Sequence, residues 1–219
     1  MKAAFLIFLF NLFFSTPLFA NDLGKDVIGK LEKKFDGLIT VEARFIQKAH
    51  ISVAGIFKKE ESKGHFYLKR PKRVKWAYTD PEIETLLLKD DLFYFYSKPD
   101  NQLLKKKVEE LDDSSNYINL LLNKNDSLLN HYKIASLTES NGDYNVKLIP
   151  LNKGGNMQYL ILSIRKTDYL LSGISFSDNL ENSTTIIFED IQLNKAISSN
   201  IFKIDVPKGT EIVNLNNEE

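Results

Sequence analysis

The side chains that most often catalyse reactions or bind metals are few in this sequence and lie far apart. There is no cysteine, and the three histidines, His50, His65 and His131, lie on separate segments without the spacing of metal ligands. A serine hydrolase needs a nucleophile placed beside a base, and the sequence has no Gly-x-Ser-x-Gly motif. The sequence therefore predicts no metal site, no cofactor and no nucleophilic active site.

Three acidic pairs remain as candidates for acid–base chemistry, namely Glu60-Glu61, Glu109-Glu110 and Asp112-Asp113. Two carboxylates that face each other across a cleft can cleave glycosidic bonds. Folding could bring two of these groups together, but adjacent acidic residues in a polar stretch are usually solvated. We interpret them as surface charges and do not expect an enzyme.

The charge balance gives no argument for nucleic-acid binding. The chain has 29 basic and 29 acidic residues, so its formal net charge is zero. The basic cluster Lys69-Arg70-Pro71-Lys72-Arg73 is local. It is interpreted by default as a strand end and turn in solvent.

The N-terminus resembles a secretory signal peptide. An apolar run over residues 3–14 is followed by Pro17 and by the small residue Ala20, a pattern typical of a cleavage site. The alternative is an uncleaved anchor, but Asn11 interrupts the run, which is shorter than the ~20 residues that span a bilayer. We expect residues 1–20 to be removed and residues 21–219 to form one exported domain, stabilised by a core because no disulfide is available.

The elements that could form such a core are mostly strands. Residues 64–102 place aromatic and branched apolar side chains in short segments at period two, which predicts consecutive antiparallel strands. Phe66 and Leu68 share one face of their strand, and Trp76 and Tyr78 share one face of the next. The segment Phe93-Tyr94-Phe95-Tyr96 is aromatic on both faces. We expect its phenylalanines to face inwards, because a tyrosine hydroxyl tolerates a wet face.

Two amphipathic helices are predicted. The first has apolar residues four positions apart, with Asn21 or Asp22 as its cap and an end near Gly37. Its apolar stripe consists of Leu23, Val27, Leu31 and Phe35. The second is predicted between residues 114 and 122, and its stripe includes Ile118, Leu121 and Leu122.

These elements predict a mainly β fold with an α-helical lid. A single antiparallel sheet of about 11 strands is too wide to stay flat. It would curl into an unclosed β-barrel whose mouth is covered by two or three short helices. The expected lining of the hollow is Phe57, Phe66, Leu68, Trp76, Tyr78, Leu86, Leu88, Phe93 and Phe95. A plain filled core has the same composition, so the sequence alone leaves both interpretations open.

Several motifs, in this order and spacing, resemble the LolA family of periplasmic carriers of outer-membrane lipoproteins. They are Phe45-x-Gln47, Lys69-Arg70-Pro71, Trp76-x-Tyr78-x-x-Pro81, Leu87-Leu88 before Asp90, and Phe202-x-Ile204-x-x-Pro207-x-Gly209-x-Glu211-Ile212-Val213. The likeness covers nearly all of the chain after residue 20. One departure lies in a turn, where Asp91 replaces the family's usual glycine.

The resemblance implies a periplasmic chaperone of a Gram-negative bacterium, expected to be a monomer. Such a protein accepts acylated lipoproteins from an inner-membrane ABC transporter and delivers them to an outer-membrane receptor. It also implies that Arg70 bonds backbone groups of the lid and holds the lid shut. The alternative on the same fold is a periplasmic sensor that binds lipids or lipoproteins, or a carrier of free lipid.

Overall fold

The computed structural model describes residues 17–53, 56–107, 126–152 and 154–215, and the side chains of all of these except 17–20, 53, 56 and 57. One α-helix, α1, spans Pro17–Asp36. Two 3-10 helices span Leu128–Asn130 and Ser199–Phe202. The strands are β1 Thr40–Val53, β2 Ile56–Lys69, β3 Arg73–Asp80, β4 Glu84–Lys89, β5 Leu92–Ser97, β6 Gln102–Lys107, β7 Tyr132–Ser140, β8 Asp143–Pro150, β9 Met157–Arg165, β10 Leu171–Asp178, β11 Ser183–Leu193 and β12 Glu211–Asn214.

All twelve strands belong to one sheet, ordered β12-β6-β5-β4-β3-β2-β1-β11-β10-β9-β8-β7. Every pairing is antiparallel except that of β12 with β6. The edges β12 and β7 do not pair with each other, so the sheet is unclosed. The predicted fold class is therefore confirmed, with one strand more than expected.

The sheet curls towards one face, which we call the inner face. On it, Phe45 of β1, Trp76 of β3 and Ile186 of β11 pack in one cluster. A second cluster lies between α1 and strands β7 to β10. Phe35 of α1 and Phe188 of β11 contact both clusters, so the two form one continuous apolar interior.

Helix α1 covers mainly the half of the sheet formed by β7 to β10. Val27 and Ile28 are completely buried there, and Leu31 is nearly so. The predicted helix is thus found, and it ends at Asp36 as expected. The predicted cap at Asn21 or Asp22 is wrong, because the helix begins at Pro17 and both residues lie within it. The predicted second helix lies outside the described residues.

The outer face of the sheet is also covered, which the sequence pattern did not predict. Leu87 of β4 packs there against Ile197 and Phe202, which follow β11. Lys75 of β3 holds this segment by donating from Nζ to the carbonyl oxygens of Ile201 at 2.9 Å and Lys203 at 3.0 Å. The outer-face side chains of β3 and β4 are therefore covered by the C-terminal part of the chain.

This cover explains why β5 is aromatic on both sides. Phe93 contacts the inner cluster as expected, whereas Tyr94 packs on the outer cluster and Tyr96 is buried. The expectation of a wet face for the tyrosines is wrong. The segment after β11 covers their face of the sheet, so aromatic rings are buried on both faces of β5.

Strands β1, β2 and β3 approach most closely at Gly64. This residue lies opposite Phe45 on β1 and Tyr78 on β3, beside a bulge in β2. A Cβ atom at this position would lie 2.1 Å from the carbonyl oxygen of Ala77 and 2.8 Å from the Phe45 ring. Only glycine fits without a backbone shift.

We predict opposite effects for two glycine substitutions. Gly64→Ala should lower the free energy of unfolding by about 1–3 kcal/mol, because the new methyl group overpacks the β2–β3 contact. Gly29→Ala should raise it by about 0.5–1 kcal/mol, because Gly29 lies exposed within α1 and a methyl group there would have no atom within 4 Å. Urea-induced unfolding measures both. A Gly64→Ala variant as stable as wild type would contradict the close approach of these strands.

Candidate functional site

An apolar hollow of about 170 Å³ lies on the inner face between the two halves of the sheet. Five of the residues predicted from the sequence line it, namely Trp76, Tyr78, Leu86, Leu88 and Phe93. Its remaining lining residues are Gln47, Val74, Phe176, Thr184 and Ile186. The last three come from β10 and β11, far away in sequence. The pairing of β11 with β1, which places Ile186 opposite Gln47, and the curl of the sheet bring them to this site.

A smaller hollow of about 30 Å³ lies where the end of α1 meets the sheet. Phe66 and Leu68, which were also predicted, line it from β2. Phe35 and Leu38 line it from the helix and the loop that follows. The two hollows therefore lie on either side of the Phe66–Trp76 pair, whose ring centroids are 4.4 Å apart.

Two predicted lining residues are not placed in either hollow. Phe95 is half-buried and lies opposite Leu86, so it shares the inner face but lines neither hollow. The Phe57 side chain lies outside the described residues. The role of all these residues in binding acyl chains stays a prediction.

The larger hollow also has a polar end that sequence reasoning did not identify. The Tyr78 hydroxyl donates to Oε1 of Gln47 at 2.9 Å, and Thr184 lies on the same wall. Strand parity could have placed Gln47 here, since it shares a face with Phe45. Among the described residues, Nε1 of the buried Trp76 has no hydrogen-bond partner. Leaving such a donor unpaired costs about 1–3 kcal/mol.

The size of the hollow limits what it holds in this conformation. A cavity of about 150 Å³ in a protein core accommodates one benzene molecule. The larger hollow is therefore too small for a complete acyl chain. A long chain would enter only if the side chains that fill the rest of the interior, including those of α1, moved away.

The predicted lid stripe is divided between burial and exposure. Val27 and Leu31 are buried and Phe35 is half-buried, whereas Leu23 is 39% exposed. Ile28, which the four-residue spacing missed, is completely buried. The other predicted lid residues, Ile118, Leu121 and Leu122, lie outside the described residues.

Arg70 joins the sheet to the end of α1. Its Nη2 atom donates to the carbonyl oxygen of Phe35 at 3.3 Å, and its backbone N–H donates to that of Ile39 at 2.9 Å. The last carbonyl groups of a helix lack partners within the helix and carry its negative dipole end, which favours a cation. Burial lowers the pKa of the Arg70 guanidinium from its usual value, and the charge of Asp36 opposes that shift.

Within the described residues, the groups considered for catalysis are not assembled into a site. Glu60 and Glu61 are exposed and pair with Lys58 and Lys63, as expected of solvated charges. The acidic pairs at 109–110 and 112–113 lie outside the described residues. In the part of the chain that the structure describes, no group of three His, Asp or Glu residues could hold a metal ion. None of the helices described there combines the length and hydropathy of a membrane span.

A large open sheet, curled around an apolar interior and covered by a helix, defines a half-barrel binding protein. The model of the family described as "Outer membrane lipoprotein carrier protein LolA" matches residues 36–205. The chain belongs to this LolA family. The match includes β1 to β11, the Arg70 position and every lining residue of the two hollows except Phe35.

Individual relatives agree with this assignment. An outer-membrane lipoprotein carrier protein from Methylococcus capsulatus is 25% identical over 194 residues, covering 89% of this chain and 90% of the relative. One from Ralstonia nicotianae is also 25% identical, covering 85% and 86%. Among solved structures, an uncharacterized conserved protein from Thermus thermophilus has a TM-score of 0.55 at 12% identity, covering 88% of this chain and 99% of its own. That likeness concerns the fold alone.

We predict that Arg70→Leu loosens the end of α1. Loss of the charged hydrogen bond to the Phe35 carbonyl should destabilise the packing of the end of α1 on the sheet by about 1–2 kcal/mol. The equilibrium constant for release of the helix end from the sheet would then rise by a factor of about 5–30. Amide hydrogen exchange over residues 31–38 should accelerate correspondingly. Arg73→Leu is the matched control, because no described hydrogen bond joins Arg73 to α1. Equal protection of these amides in wild type and Arg70→Leu would show that the bond does not hold the helix.

Proposed function

We propose that this protein carries acylated lipoproteins through the periplasm of a Gram-negative bacterium. The observation that carries this proposal is the pair of apolar hollows on the inner face, the smaller of which adjoins the helix end that Arg70 bonds to the sheet. In this proposal, an inner-membrane ABC transporter supplies the lipoprotein and an outer-membrane receptor accepts it. The family membership supports the class of cargo.

Transfer of an acyl chain through water needs a protein of this kind. Each methylene group brought into water costs about 0.8 kcal/mol, so a chain of about fourteen methylenes costs about 11 kcal/mol. A cargo with several chains could not leave a membrane unaided at a useful rate. An interior lined by Trp76, Leu86, Leu88 and Phe93 replaces the lipid environment and removes most of that cost.

Delivery requires that the carrier bind its cargo less tightly than the receptor does. The limited volume of the hollows lowers the affinity for cargo, because an acyl chain must displace contacts that the empty protein makes with itself. Phe35 and Leu38 would leave the smaller hollow, and the bond from Arg70 to Phe35 would break. The lost contacts reform when the chain leaves, which lowers the net affinity for cargo.

A crosslink between α1 and β7 should block loading. A Cβ atom built at Gly24 lies 3.2 Å from Cγ2 and 3.8 Å from Cγ1 of Ile134, the positions that the sulfur of a cysteine at residue 134 could take. The pair Gly24→Cys and Ile134→Cys therefore brings two thiols close enough to bond. The chain has no other cysteine to interfere. We expect the oxidised variant to be folded and stabilised but unable to take up a synthetic acylated lipopeptide, as measured by native mass spectrometry.

The same variant after reduction is the control for the crosslink, and it should load normally. Equal loading of the oxidised and reduced forms would show that α1 is ordinary core cover. Protein isolated from its own periplasm tests the cargo class. A bound acylated polypeptide supports the lipoprotein carrier, whereas a bound phospholipid alone indicates a carrier of free lipid.

Arg70→Leu should impair delivery rather than loading. With the closed state weakened by about 1–2 kcal/mol, cargo is held about 5–30-fold more tightly, and the receptor takes less of it. The measurement is transfer of bound lipoprotein to a purified outer-membrane receptor, with Arg73→Leu as the control. Equal transfer by wild type and Arg70→Leu would show that Arg70 does not hold α1 closed.

A further inference from the structure

Trp76 carries a hydrogen-bond donor that the protein itself does not satisfy. The side chain is 7% exposed, and Nε1 has no acceptor among the described residues. Its aromatic neighbours are Phe45, Phe66 and Phe188, with ring centroids 4.4–6.3 Å away. None of these rings has an oxygen or nitrogen acceptor. The indole ring is part of the wall of the larger hollow, but Nε1 itself is covered in this conformation. An acceptor in the hollow would reach it once neighbouring side chains move, as the entry of an acyl chain requires.

Gln47 provides a second donor on the same wall. Its Oε1 atom accepts the hydroxyl hydrogen of Tyr78, which fixes the orientation of the amide and leaves Nε2 as the other end. No hydrogen bond from Nε2 to another described residue is present. Both Gln47 and Trp76 line the larger hollow, whose other walls are mainly hydrocarbon and aromatic.

We propose that Trp76 Nε1 and Gln47 Nε2 form a subsite for the carbonyl oxygen of an ester- or amide-linked acyl chain. A hydrocarbon tail has no acceptor to offer these donors, whereas a carbonyl oxygen has two lone pairs and can accept from both. The subsite would hold the polar end of the chain at Gln47. This inference deepens the proposed function and rests on it.

Acyl carbonyl groups occur in both lipoproteins and phospholipids, so the test uses a ligand from each source. The ligands are dioctanoyl phosphatidylcholine, its dialkyl ether counterpart without carbonyl groups, and a synthetic diacylglyceryl-cysteine lipopeptide. Because Trp76 is the only tryptophan in the chain, ¹⁵N-labelled protein gives one indole N–H signal. Displacement of a hydrophobic dye measures the affinities.

We expect the carbonyl ligands to move the indole proton signal downfield and to bind about three- to ten-fold more tightly than the ether lipid, as one hydrogen bond contributes. Trp76→Phe keeps an aromatic ring but removes the donor, so it should abolish this preference. Gln47→Leu should reduce it and is an independent variant if Trp76→Phe does not fold. A downfield shift with only one of the two carbonyl ligands supports the subsite and identifies its source.

Two results would overturn the proposal, and they differ in what they say about the carrier. If ester and ether lipids bind equally and the indole signal does not move, the subsite is wrong while the carrier function stands. If none of the three ligands displaces the dye, the subsite fails together with the proposed function.

Discussion

Strands β2, β4 and β5 carry large apolar side chains on both faces, and this constraint shapes the rest of the structure. An antiparallel sheet commonly leaves one face to solvent. Here Trp76 and Leu88 face inwards while Leu87 and Tyr94 face outwards, so water must be kept from both sides. The segment from Ile197 to Ile204 covers the outer side, and curling of the sheet closes most of the inner side.

Among the described residues, helix α1 covers the inner face unevenly because it lies to one side. Val27, Ile28 and Leu31 pack over strands β7 to β10, and only the end of α1 reaches the half formed by β1 to β5. Phe35 is the helix residue that contacts both clusters. The larger hollow lies beyond it, where none of the α1 side chains lines the wall. Arg70 bonds the helix at this boundary, and its position therefore bears on access to the interior.

Much of this arrangement followed from local patterns. Period-two alternation predicted the inner face of β2 and β3 correctly, because a strand's parity depends only on neighbouring residues. It left β4 and β5 undecided, because both of their faces are apolar or aromatic and the distant segment around Phe202 covers the outer one. The helix stripe was found, but Ile28 was missed because four-residue spacing samples only one edge of a wider apolar face. Phe176 and Ile186 could not be assigned to the site from spacing, since the long-range pairing of β11 with β1 and the curl of the sheet bring them there.

The physical demands on a carrier interior differ from those on a stable core. A core gains most when every cavity is filled and every buried donor is paired, since voids and unpaired polar groups both lower stability. This interior departs from such a core in two ways, and both occur at the larger hollow. The described side chains leave the hollow unfilled, and the covered indole nitrogen of Trp76, whose ring is part of its wall, lacks an acceptor among the described residues. Both deficits would be relieved by one acyl chain with its carbonyl group. Their coincidence therefore favours a ligand-binding interior over an imperfectly packed core.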